Sequence, residues 1–108
     1  MLNIKSLEKE CYYTLYFDKI NKYFVQIIND NNDILLLGLL FSNEEDAKKY
    51  KNTELRKILN TNKGPISIKK INRNEMEDYL IKIKENNSVD GIIVDYPNKW
   101  SVFKFKKN

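Results

Sequence analysis

Carboxylates are the only side chains here whose types and spacing could carry bond-making chemistry. Asp90 and Asp95 flank the apolar run Ile92-Ile93-Val94. A metal nuclease could use such a pair with a lysine placed two residues beyond another carboxylate on a neighbouring strand. Asp46-Ala47-Lys48 has those residue types but falls in a predicted helix, and Asp90 before Gly91 is also what a tight turn selects. Asp30 and Asp33 resemble the start of a calcium loop, yet the alternating ligands, central glycine and distant glutamate do not follow. Histidine is absent, which withdraws the Ser/His/Asp triad, the Cys/His pair and the usual zinc constellations. Lone Cys11 has no assignable base or cation to make it a thiolate and reads as a small apolar core residue. Gly38, Gly64 and Gly91 lie too far apart for a phosphate-cradling loop or a dinucleotide fingerprint. The expectation is a protein with no catalytic residues, no metal and no cofactor, with a carboxylate metal enzyme on Asp90 and Asp95 as the third reading.

The elements that would position any site are more legible. Residues 89–97 carry Ile92, Ile93 and Val94 between Asp90-Gly91 and Pro97-Asn98, the pattern of a central strand. Residues 23–28 and 34–40 read as a hairpin, because the Asn and Asp residues between them tolerate the left-handed conformations of a tight turn. Ser42 with Glu45 three residues later forms a capping box that predicts a helix over 42–51, with Glu44, Glu45 and Asp46 favoured by its dipole. Thr53 restarts a short helical piece with Leu55, Ile58 and Leu59 on one face, stopped by Gly64-Pro65. Ile66, Ile68 and Ile71 mark a strand. Asn74 and Glu77 cap a longer helix ending near Asn86, with Met76, Tyr79, Leu80 and Ile83 as its apolar stripe. Residues 100–105 return as an antiparallel strand. Residues 4–17 fit either helix, through Ile4, Leu7, Cys11 and Leu15, or strand, through the run beginning at Cys11. The fold class expected is α+β, a single domain over 1–108, with a mainly antiparallel sheet of about five strands and two or three helices packed on one face.

Composition bounds the class of protein. With 108 residues, 42% hydrophobic and 31% charged, the chain is long enough to bury an adequate core and is not disordered. One cysteine fits a reducing compartment. Neither a signal peptide nor an apolar run long enough to span a bilayer is apparent, so a cytoplasmic location with no membrane partner is expected. The wealth of Lys, Asn and Ile fits an AT-rich bacterial or phage genome. Net charge is +4, with an acidic stretch at Glu44-Glu45-Asp46 and a basic C-terminus at Lys99, Lys104, Lys106 and Lys107.

Aromatic residues supply the candidate binding groups. Tyr12, Tyr13, Tyr16 and Tyr23, with Phe17 and Phe24, crowd one quarter of the chain. Tyrosine gives large contact area at low entropy cost with a polar tip, which suits a protein interface or the stacking of single-stranded bases. Near the C-terminus, Trp100 and Phe103 with Lys104, Lys106 and Lys107 form the second candidate group, although Trp100, Val102 and Lys104 alternate with Ser101, Phe103 and Phe105.

The succession of strand Ile34-Leu35-Leu36-Leu37-Gly38-Leu39-Leu40-Phe41, helix opening Ser42-Asn43-Glu44-Glu45-Asp46-Ala47-Lys48-Lys49-Tyr50, a further strand and helix, and Asp90-Gly91-Ile92-Ile93-Val94-Asp95-Tyr96-Pro97 resembles the small SseB-type domain and related bacterial α+β families. The likeness covers roughly residues 23 to 97. It implies a non-enzymatic interaction domain of the kind found around secretion and toxin-immunity systems. The expected function is a cytosolic protein that binds and inhibits or regulates another protein, as an immunity protein or a phage anti-defence inhibitor would. The alternative is a small module for single-stranded nucleic acid.

Overall fold

The computed structural model describes residues 7, 9–53, 65–85, 89–96 and 100–105. Seven strands and two α-helices follow one another as β1 (Cys11–Phe17), β2 (Lys22–Tyr23), β3 (Val25–Asp30), β4 (Asp33–Leu40), α1 (Glu44–Thr53), β5 (Ile66–Asn72), α2 (Met76–Lys84), β6 (Gly91–Val94) and β7 (Ser101–Lys104), with a 3-10 turn at Arg73–Glu75 before α2. The α+β expectation holds. The ambiguous N-terminal segment is a strand from Cys11 onward, and the short helical piece expected around Leu55, Ile58 and Leu59 lies outside the described residues.

Two sheets result, β2-β1-β5 and β3-β4-β6-β7, with every pairing antiparallel except β4 with β6. More strands appear than the five expected because the N-terminal segment adds one and the stretch from Lys22 to Asp30 divides at Phe24. Its first part pairs Tyr23 with Tyr16, and its second pairs Val25 with Gly38. Phe24 donates its N–H to the Leu15 carbonyl at 2.8 Å as the chain passes from one sheet to the other. The sheets also meet where Tyr13 and Phe41 exchange backbone hydrogen bonds of 2.8 and 2.7 Å.

The helices cover opposite faces, which corrects the expectation that they share one. Alternation along the strands sends Leu37, Leu39, Phe41 and Ile93 to the side of Ala47 and Tyr50 in α1, and Leu40, Ile92 and Val94 to the side of Met76, Tyr79, Leu80 and Ile83 in α2. A strand with no polar alternation, such as β6, is stable only when both faces are covered. Each fully buried Leu or Ile contributes about 1.5–3 kcal/mol, so the two central strands hold much of the stability. Two glycines permit this packing. A Cβ on Gly38 would lie 2.9 Å from the Tyr79 hydroxyl, and one on Gly91 would lie 2.2 Å from the Phe103 carbonyl oxygen.

Both helix starts shift from their predicted positions. Asn43 caps α1, its Oδ1 accepting the Asp46 N–H at 2.8 Å, because Ser42 is engaged by Asp95. Ahead of α2, Asn72 gives its backbone N–H and its Nδ2 to Glu75 Oε1 at 3.2 and 2.8 Å, two residues before the expected Asn74 and Glu77. β5 stays paired with β1 as far as Asn72, opposite Cys11, and the helical turn begins where that ladder ends.

Candidate interaction surface

Asp90 and Asp95 are fasteners of the sheet. Asp90 Oδ2 accepts the Leu36 N–H at 2.9 Å, while its own N–H donates to the Leu36 carbonyl at 2.7 Å. Asp95 accepts the Ser42 N–H at 2.7 Å and the Ser42 hydroxyl at 2.6 Å, and its N–H donates to the Leu40 carbonyl at 2.9 Å. One aspartate thus secures each end of β6 against β4. Five steps of extended chain separate the two by roughly 16 Å, too far to share an ion. Asp95 adopts φ 64°, a left-handed conformation that Asp tolerates better than most residues. Among the described residues, no group of three or more cysteines or carboxylates is placed to hold a metal ion.

Of the nine residues predicted to bind a partner, the seven that are described do not form one surface. Tyr12 is withdrawn from it: as an even-numbered residue of β1 it points into the α2-side core, with its hydroxyl accepting the Lys9 N–H at 3.4 Å. Tyr13 points to the α1 side, where donation of its hydroxyl to Cys11 raises its phenol pKa and partial burial adds to the shift. β7 divides its aromatics as alternation requires. Trp100 is 45% exposed and rests against Tyr96 with ring centroids 6.0 Å apart, whereas Phe103 packs partly into the α2-side core. Lys104 is exposed, and Lys106 and Lys107 lie outside the described residues.

Tyr16 and Tyr23 do come together. They face each other across β1 and β2, ring centroids 5.0 Å apart and 67° between planes, and Tyr23 in turn meets the buried Tyr79 edge-on at 4.9 Å. Edge-to-face pairs of this kind contribute roughly 0.5–1.5 kcal/mol beyond the area they bury, so the rings are held rigidly. Lys69 of β5 sets its Nζ 4.0 Å from the centre of the Tyr16 ring, and the Tyr16 hydroxyl donates to Asn21 Oδ1 at 3.3 Å. Burial raises the Tyr23 phenol pKa, with Tyr16 adding to the shift. Lys19 is exposed in the adjoining turn, whereas the exposed Lys22 and Lys70, paired with Phe17 and Tyr13, belong to the opposite face of this small sheet. The result is a preformed, half-exposed platform of two tyrosines under a cation, suited to gripping a polar or acidic surface.

Sequence reasoning missed Lys69, whose place over Tyr16 follows from the β1–β5 register (Tyr16↔Ser67, Thr14↔Lys69), a pairing between distant segments. It also missed Ile27 and Ile34, exposed at 64% and 74% on one face of the β3–β4 hairpin. Their signal was present: counting outward from the Asn31-Asn32 turn puts both on the same side. No helix of the described residues is long and apolar enough to cross a membrane. Comparison with protein-family models, curated proteins and solved structures finds no match to this chain.

Proposed function

We propose that this chain is a non-enzymatic cytoplasmic protein that binds and inhibits or regulates another protein, in the manner of an immunity protein or a phage anti-defence inhibitor. The observation that carries this reading is the Tyr16–Tyr23–Lys69 platform. It offers rigid aromatic area, phenolic hydroxyls and a cation on a β scaffold, a combination that binds protein surfaces with little loss of side-chain entropy. Lys69 over Tyr16 and the exposed Lys19 of the adjoining turn favour a partner with acidic groups. The likeness to SseB-type interaction domains points the same way.

A second reading, binding of single-stranded nucleic acid, draws on the same tyrosines and lysines. It is the weaker one, because base stacking needs an open ring face. Lys69 covers one face of Tyr16, and Tyr23 is met by rings on either side. The carboxylate enzyme is weaker still, since both aspartates are engaged in holding β6.

Affinity capture from the native host separates these readings. The wild-type chain should retain a specific protein, and the double variant Tyr16→Ala/Lys69→Glu, folded to the same extent, should lose it. Equal retention by both chains would refute the platform. Salt-eluted nucleic acid as the main captured species would favour the second reading.

A further inference from the structure

We infer that the edge of β3 left unpaired among the described residues pairs with β3 of a second copy of this chain, about a two-fold axis at Ile27. This goes beyond the platform reading and uses a different surface. Long outer strands are normally guarded by lysine, proline or shortness, because their unpaired N–H and C=O groups recruit other strands. Three of the four outer strands here are guarded in this way. β2 has two residues, one of them Lys22; β5 carries Lys69 and Lys70; β7 has four residues and ends in Lys104. β3 is six residues long, Val-Gln-Ile-Ile-Asn-Asp, without lysine, arginine or proline.

Its backbone is aligned for self-pairing. Asn31 and Asn32 form a two-residue turn of left-handed residues, so Asp30 and Asp33 close the hairpin as a hydrogen-bonded pair. Counting back, Ile28 and Gln26 bond to β4, while Val25, Ile27 and Asn29 turn their N–H and C=O groups outward. Two contacts agree with this count. Phe24 donates inward to Leu15, and the outward carbonyl of Ile27 accepts the Nε2 of neighbouring Gln26 at 3.1 Å.

In a two-fold arrangement with Ile27 opposite its own copy, Val25 lies opposite Asn29 of the other chain. Every outward group then meets an outward group, giving roughly six ladder bonds in three pairs. Ile27 and Ile34 are exposed on one face, and both would be covered from the same side. The charges also fit. The acidic turn containing Asp33 lies toward the end at which the other copy's strand arrives from Lys22, so unlike charges approach. The axis runs through the combined sheet, which leaves both Tyr16–Tyr23–Lys69 platforms on one side.

Sedimentation velocity over a dilution series tests this on the full chain of 12.9 kDa. The wild type should reach twice that mass. Ile27→Lys, which puts two ammonium groups on the axis, should weaken the dimer by about a hundredfold or more while the circular dichroism spectrum of the fold is retained. Mixing Ile27→Lys with Ile27→Glu chains should restore a heterodimer, because only this register opposes residue 27 to itself. Ile27→Pro, which deletes an outward N–H and no bond to β4, should also be a folded monomer. A wild type that stays monomeric, or a dimer indifferent to Ile27→Lys and Ile27→Pro, overturns the inference. Failure of the Lys/Glu mixture to associate overturns the register.

Discussion

β6 and β3 each carry a pair of adjacent isoleucines, yet they meet opposite fates. β6 is buried along its whole length, fastened by Asp90 at one end and Asp95 at the other, and flanked by strands on both sides. β3 lies at the margin of the same sheet, with Ile27 turned to solvent and one edge of its backbone unpaired by any described strand. Residue type misleads at both places. The aspartates that look chemical hold the fold, and an isoleucine that looks like core faces outward. Position in the sheet decides which groups are available to a partner, and here those groups lie at the margins.

The largest effect should come from crowding the centre. Gly91→Ala drives a methyl group into the Phe103 carbonyl, 2.2 Å from the ideal Cβ position. Urea denaturation should show a loss of about 3 kcal/mol or more, or no folded protein. Tolerance of this change would break the picture of a tightly closed β6–β7 pair.

Next in size is Asp95→Ala, which removes both acceptors of Ser42 and leaves alanine at φ 64°. A loss of about 2–3 kcal/mol is expected, and Asp95→Asn should lose less, about 1 kcal/mol, because asparagine accepts the left-handed conformation and keeps one oxygen. Equal losses in the two variants would remove the backbone part of the argument.

A third test uses pH. Burial raises the Tyr79 phenol pKa in the fold, with the Thr14 hydroxyl partly opposing the shift. The folded state therefore holds this proton more tightly than the unfolded chain. That contribution is fully present below the ordinary tyrosine value of 10.0 and fades as pH rises through the interval up to the folded value. Between about pH 9 and about pH 11, the melting temperature of the wild type should fall more than that of Tyr79→Phe. Parallel curves would show that Tyr79 is not shielded as its place beside Gly38 indicates.

Smallest in stability, and most informative for function, are the margin variants. Tyr16→Ala/Lys69→Glu and Ile27→Lys should each shift unfolding free energy by about 0.5–1.5 kcal/mol, the scale of one edge-to-face pair and of partly exposed side chains. A loss beyond that range would mean the margins also carry the fold and would erase the contrast with β6.

How much of this was legible in the sequence follows the range of the interactions. The hairpin was readable because Asn31 and Asn32 sit between two apolar strands, and α2 because Met76, Tyr79, Leu80 and Ile83 recur on one face and are all buried. Both capping errors arose from tertiary context: Asp95 engages Ser42 across the sheet, and the β5 ladder ends at Asn72, so the capping turn before α2 starts two residues earlier than expected. The two-sided covering of the sheet was foreshadowed by the unbroken Ile92-Ile93-Val94 run, which suits a strand buried on both faces. No local pattern reports that Lys69 will lie over Tyr16, or that Trp100 and Phe103 will serve different faces, since each depends on which strand becomes whose neighbour.

The central claim is that partner recognition resides at the sheet margin while the aspartates of β6 serve only the fold. The most direct measurement is side-by-side affinity capture from the native host with wild type, Asp95→Asn and Tyr16→Ala/Lys69→Glu, at a temperature where all three are folded. Undiminished capture by Asp95→Asn and loss by the double variant is the predicted result. Capture that survives in the double variant and fails in Asp95→Asn would contradict it.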